Sequence, residues 1–321
     1  MKVRLILVAF AVVVVSSLCI LLSDGWQGSL SAQGSTEKEQ VSAWTIGVYT
    51  GQSPFELSQP SGVTNPVLTG ADVTDMEINI LAHPFMVAGE SVYHLFFTAK
   101  HDKLKQGGIG SASSSDGLTW KYNRMVLDEP YDLSYPYVFN WQGEYYMIPE
   151  AHSETSLRLY RAVEFPDKWE YECDLLTGEH YISPTVLRYE DMWWLFTAKL
   201  GNETLRLFFA ENLKGPWTEH PMSPIVEKDL NTARPAGRPL LIDGNLYRLA
   251  QDCAPTYGYS VNAFRITELS TSAYSEMMIE KPLIKATSSG WNAEAMHHVD
   301  ALRTADGKWT AVVDALGSIP R

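Results

Sequence analysis

Short apolar runs alternate with polar turns along most of the chain, and the alternation repeats. From Pro84 the order is Pro-Phe-Met-Val-Ala-Gly-Glu-Ser-Val-Tyr93, from Pro136 Pro-Tyr-Val-Phe-Asn-Trp-Gln-Gly-Glu-Tyr145, and from Pro184 Pro-Thr-Val-Leu-Arg-Tyr-Glu-Asp-Met-Trp193. Each time an aromatic falls nine residues after the proline and opens a second apolar run, which predicts a strand, a tight polar turn and a returning strand. A third run follows (Ile109 to Ala112, Leu157 to Tyr160, Leu205 to Ala210), and then a turn closing on Trp120, Trp169 or Trp217. A fourth copy begins at Pro239, with Tyr247 one residue early, and continues from Val261 to Ile266. A fifth begins near Val299 and places Trp309 nine residues after Asp300.

A hairpin-plus-strand unit recurring every 50 to 60 residues is the signature of radial repetition, so the expected fold is all-β, a five-bladed β-propeller. The last copy stops after two strands. The strand-like segment Trp44 to Thr50 therefore predicts an amino-terminal strand that completes the final blade and removes an exposed edge.

The first 22 residues follow another pattern. Lys2 and Arg4 precede an uncharged stretch from Leu5 to Leu22, which predicts a hydrophobic helix outside the propeller. Its 18 residues lie between the length of a cleaved signal and that of a spanning anchor; both remain open, with the anchor preferred. Positive charge on its amino side predicts export of everything after Asp24. Residues 23–43 lack hydrophobic periodicity and read as a flexible stalk, leaving 44–321 for the propeller. The expected location is outside the cytoplasm, membrane-anchored or secreted, with membrane contact only through this segment.

Composition supports a packed domain and excludes one class of partner. Of 321 residues, 45 % are hydrophobic and 12 % aromatic, ample for a core. Thirty-eight acids against 25 bases give a formal charge of −13, the wrong sign for binding a phosphate backbone, so nucleic acid is not expected as a partner. Cys173 and Cys253 fall in non-adjacent repeats and read as two separate buried thiols.

The register also locates candidate chemistry. Five residues beyond each aromatic stand Thr98, Glu150, Ala198, Asp252 and Asp314; at or before the innermost strands stand His83, Tyr135, Ser183, Arg238 and the His297-His298-Val-Asp300 run. Glycosidic cleavage needs two carboxyl groups flanking the bond, and Glu150, Asp252 and Asp314 are the candidates for that role. Each also has a structural alternative, as an acceptor for neighbouring loops. Arg234 and Arg238, on a loop stiffened by prolines, suit a carboxylate or phosphate, or an ion pair between blades. Tyr135 and Tyr257 could stack on a sugar ring or pack the blades. His297, His298 and Asp300 resemble a metal cluster in composition, but their spacing matches no strong ligand motif, so hydrogen bonding is expected and neither a metal nor a cofactor.

Seven ordered motifs carry a resemblance: Leu-Ser-Tyr-Pro-Tyr-Val-Phe (133–139), Tyr-Met-Ile-Pro-Glu (146–150), Leu-Arg-Leu-Tyr-Arg-Ala (157–162), Ala-Arg-Pro-Ala-Gly-Arg-Pro (233–239), Leu-Tyr-Arg-Leu-Ala-Gln-Asp-Cys (246–253), Thr-Tyr-Gly (256–258) and Met-His-His-Val-Asp (296–300). They resemble the amino-terminal domain of glucosamine inositolphosphorylceramide transferases and its stand-alone bacterial relatives, over about residues 75–316. That family in turn looks like the five-bladed propellers of arabinanases, xylosidases and invertases. Glu150, Asp252, His297, His298 and Asp300 match the motif residues, whereas His83, Thr98 and Ala198 stand where similar sequences carry Asp, Glu and Glu. The plant transferases continue into a glycosyltransferase domain, and this chain ends after its fifth repeat, so the resemblance does not imply transferase activity.

The expected function is binding of a carbohydrate or sugar phosphate, such as a glycolipid headgroup, at the mouth of the central channel. Glu150, Asp252, Arg238, His298 and Asp300 are its expected contacts, with His83, Tyr135, Arg234, Tyr257 and His297 around them. The alternative is a glycoside hydrolase using two of Glu150, Asp252 and Asp314. Replacing Glu150 with Gln is expected to abolish binding or turnover and leave thermal stability nearly unchanged.

Overall fold

The computed structural model describes residues 40–103 and 107–320. The hydrophobic segment, most of the stalk and their expected locations lie outside the described residues; the strand expected from Trp44 begins at Gln40, inside the expected stalk. Among the described residues no helix is long and apolar enough to cross a membrane.

The chain folds into sheets of mostly antiparallel strands, and the proline-to-aromatic register marks the first hairpins. One sheet is Ser134–Trp141, Glu144–Glu150, Ser156–Glu164 and Lys168–Thr177. Another runs Tyr181–Tyr189, Met192–Lys199, Thr204–Ala210 and the short Thr218–Glu219. In a third, Asn245–Asp252, Ser260–Leu269 and Tyr274–Met278 follow an inner strand broken into Arg234–Pro235 and Leu240–Ile242. The tryptophans expected to close the turns stand at the outermost strands, with Trp120 and Trp169 buried and Trp217 partly so.

The short strands Val226–Glu227 and Ile284–Lys285 pair with Thr204–Ala210 and Ser260–Leu269, and the other strands make one seven-stranded sheet in the order Val299–Arg303, Trp309–Pro320, Gln40–Gly51, Ile80–Ala88, Tyr93–Lys100, Gly107–Ser114, Lys121–Leu127. The amino-terminal strand lies antiparallel on the carboxy-terminal one, from Gln40↔Pro320 to Gly51↔Trp309. It is joined to Ile80–Ala88 only through the parallel pair Trp44↔Ile80. The sequence placed this strand correctly because its alternation buries Ile46 and Val48 against the adjacent layer.

Apolar layers fill the spaces between successive sheets. Phe85, Tyr135, Tyr137, Ile148, Leu159, Trp193 and Leu195 form one, and Trp194, Phe196, Leu207, Leu246 and Ile266 another. Innermost strands of successive sheets pack side by side, Ile80–Ala88 against Ser134–Trp141, that strand against Tyr181–Tyr189, and the latter against Arg234–Pro235. Ile80–Ala88 also packs against Val299–Arg303, and Val299 N donates to the Ala236 carbonyl at 3.0 Å, so the series of inner strands returns to its start.

The inner strand of the third sheet is broken because the Ala-Arg-Pro-Ala-Gly-Arg-Pro loop turns inward. Gly237 N–H donates to Tyr135 Oη at 2.9 Å, and a Cβ on Gly237 would lie 1.9 Å from the Val299 carbonyl oxygen. With φ of 142° as well, only glycine fits there. Cys173 and Cys253 are unpaired, as expected, although both are partly rather than fully buried.

Candidate functional site

Three innermost strands share an irregularity. His83, Tyr135 and Ser183, each immediately before the register proline, have φ values of 50°, 47° and 48°, and the strand pairing slips by a bulge at each. Side chains disfavour this conformation, and a following proline disfavours helical backbone further. The compensation is a hydrogen bond from the displaced N–H to a side chain of a strand outside its own hairpin. Tyr135 N donates to Thr98 Oγ1 at 3.1 Å, Ser183 N to Glu150 Oε2 at 2.8 Å, and His83 N to Asp314 Oδ2 at 2.8 Å. These acceptors all occupy the position five residues beyond the register aromatic.

The other two repeats break the pattern. Ala198 offers no side-chain acceptor, and it precedes the broken inner strand. Asp252 turns to its own loop and accepts from Ala254 N at 3.1 Å; burial, with Asp229 nearby, pushes its carboxyl up despite that bond.

Around these links the expected residues gather in two groups. The first centres on three imidazoles. His83 and His297 stack with ring centroids 4.7 Å apart, and Trp44 stacks on His297 at 4.1 Å. His298 meets His83 edge to face at 5.7 Å. Asp314 accepts from His297 Nδ1 at 2.8 Å and from His297 N at 3.2 Å. Burial pushes the Asp314 carboxyl up, but the His297 and His298 imidazoles and the His83 amide outweigh it and hold the group below its ordinary range. Burial drives His83 well below the usual imidazole range, helped by His297, His298 and Arg234, and it lowers His298 to about 3. Both rings are neutral at ordinary pH. His298 Nε2 donates to the Pro84 carbonyl at 3.1 Å, and His83 Nδ1 lies 3.2 Å from Thr98 Oγ1. The opposite ring nitrogens, His298 Nδ1 and His83 Nε2, are buried with no hydrogen-bond partner among the described residues.

Beside this group, Arg234 is buried and donates from Nε to Ser183 Oγ at 3.0 Å and from Nη1 to Asn202 Oδ1 at 3.0 Å, with Nη2 3.6 Å from Glu150. Tyr257 lies over its guanidinium at 5.5 Å and edge-on to His297 at 5.2 Å. At 44 % exposure it is the one expected aromatic with an open face. Tyr135 is fully buried, its hydroxyl 3.0 Å from Thr185 Oγ1.

The second group lies three residues farther along the inner strands. Asp300 is fully buried, accepting from Met86 N at 2.7 Å and from Arg238 Nε at 2.9 Å. Arg238 Nη2 also donates to the Val138 carbonyl at 2.9 Å, and the guanidinium sits 5.1 Å from the Tyr137 ring. The polar groups of both residues thus tie three inner strands and the Gly237 loop together. The expectation that Glu150→Gln leaves stability unchanged is revised on the same grounds. Glutamine can still accept from Ser183 N but removes the charge beside buried Arg234, so a loss of about 1–3 kcal/mol is expected in a chemical-denaturation titration.

Sequence reasoning missed Trp44 and Asn202, and it gave Ser183 a position without a role. Trp44 was legible only as a strand residue, and the partners of Ser183 and Asn202 lie in other repeats. The larger described clefts, about 650 Å³ beside His94, Lys121 and Arg124 and about 520 Å³ beside Tyr189 and Arg265, lie away from the histidine cluster.

Consecutive antiparallel sheets around converging inner strands, with histidines and carboxylates at the convergence, define an all-β, propeller-like protein of glycosidase-type architecture. Solved structures share this fold. β-1,2-Mannobiose phosphorylase from Listeria innocua aligns with a TM-score of 0.61 at 11 % identity, over 83 % of this chain and 96 % of that one. The catalytic domain of the Coprinopsis cinerea α-L-arabinofuranosidase aligns at 0.57 and 13 % identity, over 85 % of this chain and 97 % of that one.

The chain belongs to the family described as glucosamine inositolphosphorylceramide transferase 1, N-terminal, whose model matches residues 36–316. Glucosamine inositolphosphorylceramide transferase 1 of Oryza sativa subsp. japonica is 37 % identical over 296 residues, covering 85 % of this chain and 40 % of the relative. That of Arabidopsis thaliana is 38 % identical over 314 residues, covering 89 % and 40 %. The chain thus spans about two-fifths of the length of the curated relatives it matches.

Proposed function

We propose that the protein binds a carbohydrate at the mouth formed by Tyr257, Trp44, Asp252 and His297, with Arg234 beneath Tyr257. The observation that carries this reading is the half-exposed Tyr257 ring, set against the buried Arg234 guanidinium and the His297 imidazole and within the field of Glu150 and Asp314. Sugar recognition uses an apolar face for the ring and fixed polar groups for its hydroxyls. Family membership and the carbohydrate-active enzymes among the fold neighbours point the same way. In this reading Arg238, His298 and Asp300 hold the floor of the site, and Glu150 holds Arg234.

Binding is favoured over hydrolysis because Glu150 and Asp314 are engaged by the backbone amides of Ser183 and His83, while cleavage needs a free carboxyl pair. We also infer that the seven-stranded sheet counts as two blades meeting at Trp44↔Ile80, which makes five in all, and that the amino-terminal segment exports the domain and either anchors or releases it.

A glycan array probed with the full-length protein and with Tyr257→Ala tests the function. Binding to a restricted set of glycans is expected, lost in the variant while folding stability falls by about 1 kcal/mol or less. Reducing-sugar release from a bound glycan would replace this reading with the hydrolase one.

A further inference from the structure

We propose that His83, His297 and Asp314 form a binding site for one divalent transition-metal ion of the zinc type. Each offers a ligand atom, all of them lie within 4.8 Å of one another, and all three residues are buried. The site draws on two elements far apart in sequence, the strand Ile80–Ala88 and the carboxy-terminal strand Trp309–Pro320, with His297 between them in space. It goes beyond the carbohydrate reading and does not depend on it.

The donor set decides the class of ion. Two imidazoles and a carboxylate suit zinc and its neighbours, whereas calcium and magnesium require mostly oxygen ligands. The site is also short of a partner. In the tautomer that donates Nδ1–H to Thr98 Oγ1, His83 keeps a lone pair on Nε2, and that buried nitrogen has no partner among the described residues. A cation is the partner it lacks.

Outer contacts fix the ligands in the way metal sites require. Asp314 is held by the amides of His83 and His297, His83 by Thr98, and the His297 ring by Trp44 on one face and Tyr257 at its edge. Ligand atoms about 2.0–2.1 Å from a tetrahedral ion stand about 3.4 Å apart, so binding draws the longest separation in by roughly 1 Å, within reach of imidazole rotation. Tyr257, 44 % exposed and edge-on to His297, joins this cluster to solvent.

The test uses purified full-length protein freed of metal with a chelator. Titration with Zn²⁺ is expected to saturate at one equivalent and to raise the melting temperature, and Co²⁺ to give the intense visible absorption of a four- or five-coordinate site. His83→Ala and His297→Ala should each weaken Zn²⁺ binding by more than about a hundredfold, beyond the 10–100-fold typical of an outer-contact loss. Should either variant fail to fold, anomalous diffraction at the zinc edge from the unaltered protein decides, with a peak expected between these side chains. Absence of saturable Zn²⁺ binding, binding unaffected by both substitutions, or a peak elsewhere overturns the proposal.

Discussion

Asp300→Asn is expected to cost about 3–5 kcal/mol and to lower the melting temperature by roughly 10 °C, the largest effect of any single substitution considered. The carboxylate is fully buried and accepts from Met86 N and from Arg238, so the amide would leave the guanidinium without its counter-charge. It would also turn a donor toward other donors. A typical domain is stable by only about 5–15 kcal/mol, so the variant should approach the unfolding threshold at physiological temperature. Urea titrations of the variant and of Arg238→Met with Asp300→Asn make the check. The double variant should recover part of the loss, since apolar groups tolerate burial better than an unpaired charge. A loss under about 1 kcal/mol in the single variant would mean that the pair does not hold the inner strands.

Deleting residues 40–51 is expected to abolish cooperative folding. That strand fills the space between Trp309–Pro320 and Ile80–Ala88, and it buries Thr45, Ile46 and Val48. Without it two long strands lose their neighbour and the series of sheets opens. Burial of Ile46 and Val48 alone contributes roughly 3–6 kcal/mol, before any loss of the ladder. Circular dichroism and limited proteolysis of the deletion variant, with and without a synthetic peptide of residues 40–51, give the readout. Protection restored by the peptide supports closure by this strand, and a deletion variant that melts like the parent would refute it.

Much of the architecture was legible because its signals are local. Proline, polar turn and aromatic recur within ten residues, and the alternation between them fixes which side of each strand is buried. The same register singled out Glu150 and Asp314 and, as a departure from similar sequences, Thr98. What these side chains do was not legible, because their partners are amides distant in sequence: Asp314 meets His83 N across 231 residues of sequence. A carboxylate that accepts from a strained amide and one that awaits a substrate look alike along the chain. For the same reason the links that Arg238 and Asp300 make between inner strands could not be told along the chain from groups that await a ligand. The broken inner strand was signalled by the prolines of its loop, but its inward turn depends on Gly237 approaching Val299, a contact that only the folded chain brings about.

The antiparallel ladder between Gln40–Gly51 and Trp309–Pro320 sets a schedule for biosynthesis. A ribosome makes the first strand early and its partner last, so the amino-terminal strand must wait, unpaired, while almost the whole domain emerges. Contacts of such sequence separation form slowly, and an apolar strand without a neighbour invites wrong pairings in the interval. Completion of the sheet therefore waits until residues 309–320 have emerged, and a holding chaperone for the nascent chain would act first on residues 40–51.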